Sequence, residues 1–144
     1  MKLTIKAISE NESFARMCVA GFCTQLNPSI DVITDIKTAV SEAVTNAIVH
    51  AYPNNDNNAY VDISAQISGT MLTVSVSDSG IGILDIGEAR MPFYTSKPGS
   101  ERSGIGFTVM EGFMDTVEVL SSPGKGTTVI MTKNIVGEAA QVGC

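Results

Sequence analysis

The sequence is poor in basic residues and has no long apolar run. It holds 9 lysines and arginines against 15 aspartates and glutamates, which gives a formal net charge of −6. Sequence-independent binding to nucleic acid depends on clustered lysine and arginine, so this charge balance argues against direct contact with DNA or RNA. No apolar stretch approaches the roughly 20 residues that a transmembrane helix needs. The composition therefore predicts a soluble protein that contacts neither nucleic acid nor membrane.

Cysteine is also scarce, and no secretion signal is recognisable. The three cysteines, Cys18, Cys23 and Cys144, are odd in number and form no CxxC pair, so neither a disulfide framework nor a zinc site is expected. The N-terminal segment MKLTIKAISENES lacks the continuous apolar core and the cleavage site of a signal peptide. These absences predict a cytoplasmic protein.

Two common phosphate-binding motifs are incomplete. The glycine pairs at residues 80–82 and 104–106 both lack the third glycine of the dinucleotide fingerprint GxGxxG. The segment PGKGT at residues 123–127 lacks the first glycine of a P-loop and has Gly126 where a hydroxyl residue should follow the lysine. We interpret PGKG as a hairpin turn, and each glycine pair alone is weak evidence for a nucleotide site.

The chain is long enough for one domain, and we expect a single domain over residues 1–144 with a frayed tail after about residue 134. A turn-rich loop is expected at residues 53–59. Residues 91–103 show no periodicity and have about the length at which loops tend to be functional lids.

Hydrophobic periodicity predicts alternating strands and helices. Residues 2–8 alternate like a strand, and Ser9 with Glu12 forms a capping box that opens a helix to about residue 25. An amphipathic helix follows from residue 29 or 30 to 51. The later elements are a hairpin of strands at 60–67 and 71–77, a helix at 104–113, and strands at 116–120 and 127–132.

The second helix carries a polar stripe. In SEAVTNAIVHAY, residues 41–52, Glu42, Asn46 and His50 recur at steps of four, so their side chains line one side of the helix. Glu42 points nearly opposite the centre of the apolar face, and the stripe can face a ligand. The alternative is that these residues simply face solvent.

The order of these motifs resembles the GHKL family of ATP-binding proteins, which includes DNA gyrase B and the histidine kinases. The resemblance covers roughly residues 38–131. Within that family, the sequence more closely resembles the small anti-sigma kinases of sporulating Gram-positive bacteria. It rests on the segments FARMCVAGF, SEAVTNAIVHAY, DSGIGI, FYTSKP, ERSGIGFTVM and GKGTTV.

The resemblance implies a fold and a site. The fold is the GHKL, or Bergerat, fold: an α/β (α+β) two-layer sandwich with a mixed, mostly antiparallel sheet, helices on one face, and ATP bound between the helical layer and the lid. Glu42 is implied as the general base, Asn46 as the ligand of Mg²⁺, and Asp78 as the reader of adenine. The other implied ATP-binding residues are Gly80, Gly82, Lys97, Ser103, Gly104, Ile105, Gly106, Phe107 and Thr127.

The resemblance also implies the function and the partners. The protein would bind and inhibit a sigma F-like factor and would phosphorylate the anti-anti-sigma factor on serine, using Mg-ATP. Arg16 and Arg102 are implied as partner contacts. A homodimer through the first strand and helix would cover the apolar residues of that helix, which are Phe14, Met17, Val19, Phe22 and Leu26. Burial of these residues in the core is an equally good interpretation.

Alternatives remain for several residues and for the activity. His50 fits a histidine that interacts with the carbonyls at a helix C-terminus, because the phospho-accepting histidine of histidine kinases lies on a separate helical domain. Lys97 is read equally well as solvated surface charge. The alternative for Asp78 is a simple turn, and the alternative for Arg102 is neutralisation of phosphate charge. The activity could be that of another GHKL kinase acting on a stress-response partner, or of a nucleotide-gated binding module that transfers no phosphate.

Overall fold

The computed structural model describes residues 1–49, 59–82 and 106–136. The predicted lid, residues 53–58 of the predicted loop, the end of the second helix and the tail after residue 136 lie outside these ranges. None of the helices in the described ranges is long and apolar enough to cross a membrane. The elements are β1 (Lys2–Lys6), α1 (Glu10–Cys23), a 3₁₀ turn (Thr24–Leu26), α2 (Ile30–Val49), β2 (Tyr60–Ser68), β3 (Met71–Asp78), α3 (Gly106–Phe113), β4 (Thr116–Ser122) and β5 (Gly126–Asn134).

The strands form one sheet in the order β1-β2-β3-β5-β4, and every pairing among the described strands is antiparallel. Side chains alternate between two faces, as the period-2 pattern requires. Ile63, Val76 and Val129 are paired across β2, β3 and β5 and are buried on the face that meets the helices. The other face carries polar pairs such as Ser77 and Thr128, whose hydroxyls lie 2.8 Å apart. The predicted two-layer α+β sandwich is thus confirmed.

Helix α2 is the centre of the helical layer and contacts both α1 and α3. The middle of its apolar face is buried, with Ile36, Val40 and Val44 without measurable exposure. Residues with small side chains, Ala43 and Ala47, are also buried on this helix. Because the apolar face is committed to the core, the polar stripe of α2 is turned toward the layer edge where α3 begins.

The predicted capping box of α1 is wrong in its details. Ser9 has helical backbone angles, φ −57° and ψ −34°, and its side chain makes no capping hydrogen bond. The Glu12 carboxylate does not reach back to Ser9 but accepts a hydrogen bond from the Ser41 hydroxyl on α2. A contact across two packed helices has therefore replaced the local cap. At the start of α2, by contrast, Ser29 Oγ accepts the Val32 N–H at 3.3 Å in the geometry of an N-cap.

Candidate functional site

The polar stripe of α2 meets the first residue of α3. A Cβ atom at Gly106 would lie 2.8 Å from Asn46 Nδ2, 3.3 Å from Asn46 Oδ1 and 3.3 Å from Glu42 Oε2. Both side chains therefore point at the N-terminus of α3, and only glycine fits there without displacing them. The structure brings Glu42 and Asn46, which the sequence placed on one stripe, together with Gly106 from a distant segment.

This junction combines groups that suit phosphate chemistry. Gly106 is the first residue of α3 in the described range, and N–H groups near the start of a helix carry a partial positive charge that favours an anionic ligand. Glu42 Oε2 is buried from solvent, while Glu42 and Asn46 as whole residues are half-buried. A carboxylate and an amide are thus fixed one helical turn apart, directly beside Gly106, the first residue of α3 that the structure describes. The arrangement can hold an anion and accept a proton near it.

Asp78 occupies the end of β3. Its Oδ1 atom accepts two backbone hydrogen bonds, from Gly80 N–H at 3.0 Å and from Thr127 N–H at 3.2 Å. Burial raises the pKa of this carboxyl above its ordinary value, and the two N–H groups partly oppose that shift. Within the described residues, Oδ2 accepts no hydrogen bond. Asp78 is therefore a half-buried acceptor with one oxygen fixed by the backbone and the other available to a ligand.

The loop after Asp78 is interlocked with the β4–β5 hairpin through two glycines with positive φ. Gly82 has φ 76°, and a Cβ there would overlap the Ser122 carbonyl oxygen. Gly126 has φ 93°, and a Cβ there would overlap the Asp78 carbonyl oxygen. Gly124 N–H also donates to Ile81 O at 2.7 Å. Because the hairpin contacts the backbone of Asp78 and of the loop that follows it, it holds Asp78 in place.

The segment PGKG is the turn of this hairpin, which confirms the sequence interpretation. Lys125 N–H donates to Ser122 O at 3.0 Å, closing the turn between β4 and β5. The loop and hairpin border a shallow cleft of about 340 Å³. The cleft is lined by residues at the end of β3 and around the hairpin: Ser77, Asp78, Ser79, Leu120, Ser121, Ser122, Lys125, Gly126, Thr127 and Thr128.

Thr127 is the buried polar residue of this cleft, with 9% of its surface exposed. Its hydroxyl lies 2.8 Å from Ser121 Oγ, and its N–H is bound to Asp78. Sequence reasoning selected Thr127 but missed Ser121 and Gly126. The signal for Gly126 was its place directly before Thr127 in GKGTTV. Ser121 gave no local signal, because its role follows from its pairing with Thr127 across the hairpin.

The remaining predicted residues are elsewhere or are not described. Phe107 is buried in the core next to Gly106 on α3. Arg16 is not part of the cleft: it lies on α1, where its guanidinium donates to Ser13 Oγ at 3.1 Å and lies 3.7 Å from the Glu12 carboxylate. The others lie outside the described ranges: His50, Lys97, Arg102, Ser103, Gly104 and Ile105.

Comparison with known proteins gives a consistent set of similar sequences. The family model described as the histidine kinase-like ATPase domain matches residues 6–133. The anti-sigma F factor of Geobacillus thermodenitrificans is 56% identical over 140 residues, which are 97% of this chain and 95% of that protein. The anti-sigma F factors of Oceanobacillus iheyensis and Clostridium perfringens are 53% and 56% identical, each over 135 residues, 94% of this chain and at least 92% of theirs.

Solved structures share the fold at low identity. The RsbU and RsbW domains of a Mycobacterium tuberculosis protein superpose with a TM-score of 0.67 at 19% identity, covering 94% of this chain and 31% of that one. The catalytic domain of the histidine kinase ThkA superposes with a TM-score of 0.59 at 18% identity, covering 94% of this chain and 97% of that one. At this level of identity the likeness concerns the fold alone.

Proposed function

Because this chain belongs to the histidine kinase-like ATPase family and, within it, to the anti-sigma F factors, we propose that it binds a sigma F-like factor and phosphorylates an anti-anti-sigma factor on serine with Mg-ATP. The observation that supports the kinase activity is the junction where Glu42 and Asn46 lie beside Gly106. It unites a base, a metal-binding oxygen and a helix N-terminus. The high identity to the anti-sigma F factors supports the sigma-binding half.

Glu42 is the general base in this proposal. Its carboxylate accepts the proton of the substrate serine hydroxyl as the serine oxygen bonds to the γ-phosphorus and the bond to ADP breaks. Phosphoryl transfer depends mainly on positioning and charge stabilisation, so a base on a helix whose apolar side is packed into the core suits the reaction. The contact with Gly106 leaves no room for a side chain between the base and the phosphate-binding end of α3.

The residues at the junction also fit a magnesium ion. Mg²⁺ prefers oxygen ligands, keeps several waters and is bound through few protein groups plus phosphate oxygens. Asn46 would supply its amide oxygen from α2, and the ion would neutralise phosphate charge during transfer. Residues Ser103 to Phe107 would turn backbone N–H groups toward the triphosphate, and Lys97 would add a cation. Gly106 is the member of this group whose position beside Asn46 supports the assignment.

Asp78 and Thr127 would bind the adenine end. A half-buried acceptor whose second carboxylate oxygen accepts no hydrogen bond from the described residues fits the exocyclic amine of adenine, and Gly80 and Gly82 let the loop approach the base closely. The hydroxyl of Thr127 adds a second polar group on the neighbouring strand. The cleft around them supplies the space for a base.

The adenine assignment predicts that Asp78→Asn weakens ATP binding relative to GTP by about tenfold or more, since one mispaired buried polar group costs ~1–3 kcal/mol. Asparagine can keep an oxygen on the Gly80 and Thr127 N–H groups, but its NH₂ then opposes the amine of adenine. Calorimetric titration with both nucleotides measures the ratio. Asp62→Asn, on the outer face of the sheet, is the matched control. An unchanged ratio in Asp78→Asn would remove the adenine assignment.

The same substitution has a second readout, its pH dependence. Because the folded-state pKa of Asp78 is raised from 3.8, the stabilising contribution of the neutral form is present below that value and is lost as pH rises through the folded-state pKa. Asp78→Asn should therefore gain stability over the parent at pH 7, and the gain should shrink as the pH falls below 4. Urea denaturation at both pH values measures this. A constant difference would show that burial does not penalise the charge.

The partner and assembly assignments rest on α1 and β1. Phe14 and Met17 are 55% and 56% exposed on α1, and β1 forms one edge of the sheet among the described strands. A homodimer through these two elements would cover both the apolar pair and the strand edge. Arg16, on the same helix, and Arg102 would contact the partners. A sigma factor as partner places the complex in the cytoplasm.

A further inference from the structure

Ser121 and Thr127 face each other directly across the β4–β5 hairpin. Their hydroxyl oxygens lie 2.8 Å apart, and Ser121 Oγ also lies 3.0 Å from the Gly126 carbonyl oxygen. The three polar atoms form a chain that ends at the cleft beside Asp78. The direction of the hydrogen bonds in this chain decides what Thr127 can offer a ligand.

That direction follows from counting protons. A carbonyl oxygen can only accept, so the contact with Gly126 takes the single hydroxyl proton of Ser121. The short contact between the two hydroxyls then has Thr127 as its donor and Ser121 as its acceptor. Thr127 has one hydroxyl proton, which it donates to Ser121 Oγ. What Thr127 Oγ1 retains are lone pairs.

We infer that Ser121 is a positioning residue that sets base specificity by fixing Thr127 as a hydrogen-bond acceptor; this rests on the proposed adenine site. When the Thr127 hydroxyl proton is fixed in this way, the side chains of Asp78 and Thr127 offer a ligand only hydrogen-bond acceptors. The two residues lie on adjacent strands and are joined by the hydrogen bond from Thr127 N–H to Asp78. An acceptor-only site favours a purine with an amino group at position 6. It disfavours a purine with a carbonyl oxygen there, because two acceptors would then face each other.

Removal of Ser121 should relax this discrimination. In Ser121→Ala the Thr127 hydroxyl is free to rotate and to donate to a 6-oxo group. The ratio of the Kd for inosine triphosphate to the Kd for ATP should fall by about threefold to tenfold, the range expected for one hydrogen bond. Inosine triphosphate is the probe because it replaces the 6-amino group of ATP with an oxo group, and the proton that its N1 carries is the only other change on the base. Most of the change should come from tighter binding of inosine triphosphate.

Two further variants separate this role from a structural one. Ser121→Thr keeps the hydroxyl and should retain the parent ratio. In a Thr127→Val background, residue 127 has no hydroxyl whose hydrogen-bond direction could change, so Ser121→Ala should leave the ratio unaltered. Calorimetric titration of each purified variant with both nucleotides supplies the four corners of the cycle.

The inference is overturned if Ser121→Ala keeps the parent ratio, or if it shifts the ratio equally with and without the Thr127 hydroxyl. A shift in Asp78→Asn alongside no shift in Ser121→Ala would sink this inference and leave the adenine site standing. A parent protein that binds both nucleotides equally, with no response to Asp78→Asn, would instead remove the adenine site and this inference with it.

Discussion

Glu42→Gln is expected to slow phosphoryl transfer by about 10²- to 10⁴-fold, the range that a positioned general base contributes, while ATP affinity stays nearly unchanged. Glutamine has the shape of glutamate, so the close approach to Gly106 is retained. It cannot accept a proton from the substrate serine. The loss should therefore appear in the rate of the chemical step and not in nucleotide binding.

Single-turnover transfer to a purified anti-anti-sigma factor, with calorimetric ATP titration beside it, measures the two effects separately. Glu118→Gln is the matched control, because Glu118 is an exposed glutamate on the sheet and lies outside the α2–α3 junction. Loss of both transfer and ATP binding in Glu42→Gln would make Glu42 a structural residue. Undiminished transfer would mean that another group is the base.

Gly126→Ala is expected to lower the free energy of unfolding by about 3 kcal/mol or more and to abolish ATP binding. The residue has φ 93°, and a Cβ there would overlap the Asp78 carbonyl oxygen and lie 2.8 Å from Ser79 Cα. These are backbone atoms, which cannot rotate away as a side chain does. The hairpin and the Asp78 loop would have to separate, and the acceptor for the base would move with them.

Gly124→Ala is the matched control for this prediction. Gly124 also has a positive φ, 78°, but a Cβ there meets nothing within 4 Å. It carries the backbone strain alone, about 1–2 kcal/mol, without the overlap. Urea denaturation and ATP titration compare the two variants. Equal losses would mean that the overlap relaxes easily and that the hairpin does not hold Asp78.

The features that the sequence predicted correctly are those carried by local periodicity. The spacing of Glu42 and Asn46 follows from the geometry of one helix, so their common direction could be read before any packing was known. The hairpin turn at PGKG is likewise set by its own residues. The two-layer fold required more, since it came from a resemblance in the order of several motifs.

The features that the sequence did not predict depend on contacts between distant segments. Glu12 was assigned to a local cap, but packing of α1 on α2 brings it to Ser41. Gly126 gains its importance from Asp78, which is on another strand. Ser121 matters through a strand register that fixes it opposite Thr127. None of these partners can be identified from residue type or spacing, because tertiary packing selects them.

The most direct test of the proposed function incubates the protein with γ-labelled ATP, Mg²⁺ and a purified anti-anti-sigma factor, followed by phosphoamino-acid analysis. The proposed function predicts label on a serine of the anti-anti-sigma factor, dependent on Mg²⁺. ATP binding without any label on the partner would contradict the kinase and favour a nucleotide-gated binding module.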